Sequence, residues 1–260
     1  MIKHLFLKRC LGNLCGASIT CRDVILIYHS VAGGRFSISE EKFCAQMGWL
    51  KENAQVVTLD ELLNNPNQGN LRVVLSFDDG YQTLFNTVHP ILESKKFPAI
   101  VYLVSHVLGG NEHIMSKTEL GHYPDEYFLN WSEVSYLIQH GWTVGGHGMD
   151  HIDLTKVSLE EATKQLSGCK EHIESRLGVS CHHFAYTWGH YNSGVSVAVT
   201  KAGYHSAVSG IHGPIIKTSN RFALPRVDIR ADYELRDFID AVTGRWDYLG
   251  WKHRMEHLVS

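Results

Sequence analysis

Short apolar runs rich in β-branched residues recur along the chain, and longer stretches between them repeat their apolar positions with a helical period. Residues 24–28 read as a fully buried strand, and 40–52 as an amphipathic helix with Phe43, Met47 and Leu50 on one face. The same pattern predicts strands at 55–58, 72–77, 99–104, 142–146, 183–186, 205–208 and 224–229. Helices are predicted over 82–94, 132–140, 159–177, 193–202 and 233–242. Alternation of continuously apolar strands with helices points to an α/β protein whose parallel sheet is covered by helices.

An open doubly wound sheet and a closed barrel both fit that alternation. The chain has no G-x-G-x-x-G phosphate fingerprint, which weakens the nucleotide-binding version of the open sheet. The expected fold is a distorted or incomplete (β/α) barrel of about seven parallel strands. No repeat or Pro-rich linker divides the sequence, so one domain is expected over 23–260, after an N-terminal tail at 1–22. The longest irregular stretch, 105–130, contains Gly109-Gly110 and Pro124, and loops of that length commonly line a substrate groove.

Composition narrows the function classes. The 260 residues are 44% hydrophobic and 20% charged with a formal net charge of −3, which removes the basic footprint of nucleic-acid binding. No stretch approaches the roughly 20 apolar residues of a membrane helix. Lys3, Lys8 and Arg9 flank only Leu5, Phe6 and Leu7, and Gly12, Asn13 and Gly16 interrupt the residues after them, so a signal peptide is not expected. The six cysteines form no C-x-x-C pair and read as free thiols. A cytoplasmic protein is the expectation, with a membrane-peripheral or exported one as the alternative. The 17 histidines make any single His motif uninformative by itself.

Four segments carry chemistry, and each sits where a predicted strand ends. Ser76-Phe77-Asp78-Asp79-Gly80 follows the run Val73-Val74-Leu75. Adjacent carboxylates repel unless a cation or a shared proton relieves them. A metal would let one Asp act as ligand and leave the other as a base, whereas an isolated Asp-Asp-Gly would read as a helix cap. His147 and His151, four apart, could meet one metal from a single turn. His253 and His257 repeat that spacing without a carboxylate cluster or strand end and are taken as a solvent-facing pair. Tyr28-His29-Ser30 closes the first strand, and Phe184–Gly189 runs a strand into aromatics and a turn glycine. An α/β barrel assembles its active site at the C-terminal ends of its strands, and scattered structural residues have no reason to choose that one face.

These residues resemble the NodB-type polysaccharide deacetylases, carbohydrate esterase family four, over roughly 24–242. Ser76–Gly80 is similar to the family's first motif. His147–His151 is similar to its second, with Gly148 in place of a hydroxyl residue. Phe184–Gly189 resembles a divergent third. The resemblance implies that Asp79, His147 and His151 bind one divalent metal and that Asp78 is the base. The chain departs from the family pattern at two points: the third-motif Arg is replaced by Ala185, and no late Leu-x-His supplies the acid. The opening strand is similar to the permuted poly-N-acetylglucosamine deacetylases, which implies His29 as the acid. Arg226, in Leu224-Pro225-Arg226 on a predicted strand, is the positional candidate to replace the missing Arg, with a surface or ion-paired Arg as the alternative.

The implied activity is metal-dependent removal of N-acetyl groups from an N-acetylated sugar or polysaccharide, releasing acetate. Zinc suits two His and one Asp, as do cobalt, nickel and iron. Trp131, Tyr186 and Trp188 are the candidate flat faces for a pyranose. The alternatives are a hydrolase of a cyclic amide, formyl or O-acetyl group, and a non-catalytic carbohydrate-binding protein on a decayed barrel. His190 and His212 are the reserve candidates for the acid.

Overall fold

The computed structural model describes residues 21–32, 37–109 and 126–250, with Leu5, Lys8, Arg9, Leu11 and Gly12 of the N-terminal segment. In chain order, its strands are β1 (Arg22–Tyr28), β2 (Gln55–Val56), β3 (Leu71–Phe77), β4 (Ala99–Leu103), β5 (Trp142–Gly146), β6 (His183–Ala185), β7 (Ser206–His212) and β8 (Leu224–Asp228). The helices are α1 (Glu40–Asn53), α2 (Leu59–Asn64), α3 (His89–Lys95), α4 (Trp131–Gln139), α5 (Leu159–Leu177), α6 (Ser193–Lys201) and α7 (Leu235–Val242).

Seven strands close a parallel barrel, running β1-β8-β7-β6-β5-β4-β3 and back to β1. The short β2 borders β3 at Arg72 and Val73, and β4 takes over the same edge at Ser76 and Phe77. The barrel is thus one strand short of the eight of a complete (β/α) barrel.

Side-chain alternation divides the apolar residues into two layers. Val24, Leu26 and Tyr28 of β1 and Val73, Leu75 and Phe77 of β3 pack with the helices, which contribute Phe43, Met47 and Leu50 among others. Ile25, Val74, Ile100, Tyr102, Ala185, Val208 and Leu224 fill the lumen. At the end where the strands begin, Leu59 and Leu62 of α2 plug the lumen. There Arg72 pairs with Asp23 through bonds of 2.7 and 2.6 Å and donates to the Leu62 and Asn65 carbonyls. The opposite end, where the strands finish, is the one left for chemistry.

Three local outcomes differ from the hydrophobic pattern. Helix α2 was not expected, because six residues are too few to show a helical period; a capping box between Thr58 and Glu61 starts it. The helix predicted over 82–94 is divided into a π-helical turn, Leu84–Val88, and α3. Pro90 has no N–H to bond the preceding turn and its ring crowds the carbonyl four residues back, which favours the wider turn there. Strand β7 runs on to His212, four residues past its predicted end, and its register against β8 shifts between Val208 and His212.

The N-terminal segment touches the domain: Arg9 makes two bonds, 2.7 and 2.6 Å, to the Asp237 carboxylate, and Lys8 Nζ donates to the Tyr233 hydroxyl at 3.0 Å. Cys21, Cys44, Cys169 and Cys181 are free thiols. Among the described residues no helix is long and apolar enough to cross a membrane. Cys10, Cys15, His253, His257 and residues 110–125 of the long loop lie outside the described residues.

Small residues in the barrel wall make room for large ones in the lumen. A Cβ at Gly145 would stand 2.5 Å from Tyr102 Cδ1 and 2.7 Å from the His183 carbonyl oxygen. Gly145→Ala is therefore expected to cost about 1–3 kcal/mol through overpacking. Urea denaturation measures it, and an unchanged midpoint would show that Tyr102 has room to move.

Candidate active site

Strand β3 delivers both carboxylates to the rim. Its full pairing with β1 ends at Tyr28 opposite Phe77, and the Asp78 amide then donates to the Tyr28 carbonyl at 2.9 Å. The chain next turns sharply, with Asp79 at φ 72° and Gly80 at φ 85°. A left-handed conformation is costly for most side chains and easier for Asp. That turn sends the two neighbouring carboxylates in different directions; both are buried.

Asp79 faces the histidines. Its Oδ1 lies 3.4 Å from Nε2 of His147 and 3.4 Å from Nε2 of His151, and it has no hydrogen-bond partner. Burial alone would raise the Asp79 carboxyl, but His147, His151 and His29 draw it well below the usual carboxylate range. His147 follows β5 directly, with its amide donating to the Leu103 carbonyl at 2.8 Å. Its Nδ1 stands 2.8 Å from the Ala185 carbonyl, which can only accept, so Nδ1 carries a proton. Burial lowers the His147 pKa, but the Asp79 and Asp78 carboxylates outweigh burial and raise it; as a metal ligand the ring would be neutral and would offer Nε2. His151 is reached through a turn with Gly148 at φ 79° and His151 itself at φ 56°.

Among the described residues, Asp79, His147 and His151 form the one group whose ligand atoms all lie within 4.8 Å of one another. Ligand atoms about 2.1 Å from a tetrahedral ion stand about 3.4 Å apart. The spacing, the buried Asp79 oxygen without a hydrogen-bond partner and the two imidazole nitrogens facing it fit a divalent metal. Three ligands leave a position open, as catalytic rather than structural sites do.

Asp78 has a different partner. Arg226 of β8 grips it with two bonds of 2.8 Å, Nη1 to Oδ1 and Nη2 to Oδ2. Arg226 is itself held by the Ser209 carbonyl at 3.1 Å and the Ser76 hydroxyl at 3.3 Å, and its guanidinium stands 5.8 Å from the Tyr102 ring centroid. Burial pushes the Asp78 carboxyl up, but Arg226, His147 and His29 outweigh it and keep the group ionised. The Ala185 Cβ lies in the same lumen, so Arg226 enters from two strands away toward the space an Arg at 185 would have approached. Ser209 was not anticipated. It lies in the irregular part of β7, and a serine interrupting an apolar strand was the one available signal.

The remaining candidates divide. His29, one residue past the Tyr28–Phe77 pair, is level with Asp78, exposed, and near enough for its charge to act on both carboxyls. Trp188 lies at φ 60° in the turn Thr187–Gly189, 46% exposed, with its ring centroid 5.0 Å from that of His151. Tyr186 does not meet the expectation of a sugar-stacking face. Alternation along β6 turns it outward into the helix layer, where its hydroxyl donates to the Phe222 carbonyl at 2.8 Å and its ring stacks on Tyr191. Trp131 packs instead against α5, with His172 at 5.0 Å and the Arg176 guanidinium at 5.9 Å from its ring. His190 is engaged with Asp153 at 2.9 Å, and His212 is buried opposite Arg226 in the β7–β8 pairing.

Known proteins are similar to this chain in sequence and in fold. The poly-β-1,6-N-acetyl-D-glucosamine N-deacetylase of Staphylococcus aureus (strain MRSA252) is 26% identical over 226 residues, 82% of this chain and 72% of that protein. IcaB from Ammonifex degensii has a similar structure, with a TM-score of 0.75 at 16% identity over 87% of this chain and 99% of that one. The Streptococcus pyogenes deacetylase PplD, solved in complex with acetate, gives 0.72 at 19% identity over 86% and 99%. These structural likenesses establish the fold. The profile of the polysaccharide deacetylase family matches residues 65–207, which include Asp78, Asp79, His147 and His151 but neither His29 nor Arg226. Because that match spans more than half of the chain, the protein belongs to the polysaccharide deacetylase family, a family of deacetylase enzymes.

Proposed function

We propose that this protein hydrolyses N-acetyl groups on an N-acetylated sugar or polysaccharide, using a divalent metal held by Asp79, His147 and His151. The observation that carries the reading is the Asp79 oxygen, buried, unpartnered and facing two imidazole nitrogens, beside a second buried carboxylate with a partner of its own. A divalent cation bound there supplies Lewis acidity, polarising an acyl oxygen and making water a stronger acid. Zinc suits the donor set, and cobalt, nickel or iron could replace it.

The chain's own groups supply the rest. Asp78, kept ionised by Arg226, accepts the proton of the attacking water. The double contact with Arg226 fixes the carboxylate plane, so its orientation does not depend on substrate. An amine is a poor leaving group as an anion, so a proton must reach the nitrogen. His29, exposed at the rim beside Asp78, donates it. Trp188 offers the flat apolar face against which a pyranose ring can lie. The same S. aureus relative is named for a poly-β-1,6-N-acetyl-D-glucosamine substrate, which makes an N-acetylglucosamine polymer the first substrate to test.

Metal analysis of His147→Ala should show loss of the single bound ion. Asp78→Asn should retain the ion and lose acetate release. Retained metal in the first variant would remove the triad, and loss of metal in the second would exchange the roles of the two carboxylates.

His29→Ala should lower deacetylation by roughly 100- to 10,000-fold with metal content intact. The defect should shrink on an activated acetyl ester, whose leaving group departs without a proton. Full activity of His29→Ala on the amide would move the acid elsewhere on the rim.

A further inference from the structure

We propose that Gln165 of α5 is a positioning residue for the metal-ligand turn, which has no side chain of its own at Gly148. The inference rests on the reading that Asp79, His147 and His151 bind a divalent ion. Both histidines must present Nε2 to one point, yet Gly148, Met149 and Asp150 between them belong to neither a strand nor a helix. Left-handed backbone at Gly148 and at His151 makes this turn one that must be held from outside.

Gln165 holds it from beneath. The side chain is 2% exposed and makes four hydrogen bonds. Its Oε1 accepts from the Met149 amide at 3.0 Å and the Asp150 amide at 3.1 Å, while Nε2 donates to Asp150 Oδ2 at 2.7 Å and to Glu161 Oε1 at 3.2 Å. One amide thus binds the turn as both acceptor and donor, which no hydrophobic residue of that size can do. A Cβ built at Gly148 would stand 3.7 Å from Gln165 Oε1, an ordinary van der Waals contact, so the glutamine amide lies directly beside position 148.

The other contacts tie the turn to the same base. Asp150 Oδ1 meets His106 Nδ1 at 2.8 Å, and the Ser105 and His106 amides donate to the Gly148 and Met149 carbonyls, each at 3.1 Å. Gly168, one helical turn beyond Gln165, has no side chain and leaves its place to the Met149 sulfur. Gln165 is the residue that reads the turn's backbone N–H groups, and the β4 loop reads its carbonyls.

Outer partners of metal ligands typically contribute roughly 10- to 100-fold in metal affinity. The test is titration of metal-free protein with Co(II), followed by its visible absorption, for wild type, His147→Ala, Gln165→Met and Gln165→Glu. Met keeps the bulk without the hydrogen bonds. Glu keeps the acceptor but sets a carboxylate against Asp150. Both Gln165 variants should bind Co(II) at least tenfold more weakly, with an altered band envelope, at temperatures where circular dichroism shows them folded. A merely structural role would lower the melting temperature and leave cobalt affinity and spectrum unchanged; a loss of less than tenfold in the folded variants overturns the proposal. Should Gln165→Met fail to fold, Gln165→Glu decides by the same criterion, and failure of both assigns Gln165 to folding instead. Cobalt uptake by wild type that His147→Ala abolishes but Gln165→Met retains sinks this inference alone. No uptake by wild type sinks the metal reading with it.

Discussion

Two carboxylates that are neighbours in sequence, both buried, stand at the end of β3, and most of the architecture around them answers that constraint. Neither Asp78 nor Asp79 can stay ionised in the interior without compensation. The protein gives each a different partner. Asp78 is matched by Arg226 in a two-bond pair from across the lumen, and Asp79 is turned by a left-handed backbone step toward two imidazoles. Removing one member of a buried pair typically costs about 3–5 kcal/mol, because the other charge is left without compensation. Asp78 and Arg226 are therefore bound to each other in stability as well as in chemistry.

The fold serves this arrangement through room and reach. In the closed barrel only β1 separates β8 from β3, which brings an Arg rooted in β8 within reach of a carboxylate leaving β3. The irregular part of β7 turns the Ser209 carbonyl to the Arg226 Nε, and Gly145 leaves space for the Tyr102 ring near the guanidinium. The β4 loop and α5 brace the second ligand segment from outside. The site is buried where charge must be held and exposed at His29 and Trp188.

Family membership gives the enzymatic class, and retention of Asp78 beside Asp79, His147 and His151 weighs against the reading of a non-catalytic protein on a decayed barrel. Ala185 and Gly148 prompted that reading. Both departures have structural counterparts in this chain, because Arg226 occupies Asp78 from another strand and Gln165 holds the turn that includes residue 148. A motif judged position by position counts such substitutions as losses. A site judged by contacts does not.

The strand–helix alternation, the parallel barrel and the segments bearing Asp78, Asp79, His147 and His151 were legible in the sequence, because apolar periodicity and strand-end placement are local properties. Helix α2 and the length of β7 were not, since a six-residue helix shows no period and Ser209-Gly210 interrupts the apolar run of β7. The setting of the candidate aromatics was not legible either: sequence shows that a residue is aromatic, but the layer it faces depends on strand register and helix packing. Register turned Tyr186 away from the lumen, and α5 packed against Trp131. The pairing of Arg226 with Asp78 joins residues 148 positions apart, and Gln165 reaches a turn 15 and 16 positions earlier. Local pattern determined which residues could do chemistry. Only closure of the barrel and docking of α5 decided which of them meet, because those distances exist only once the chain has packed.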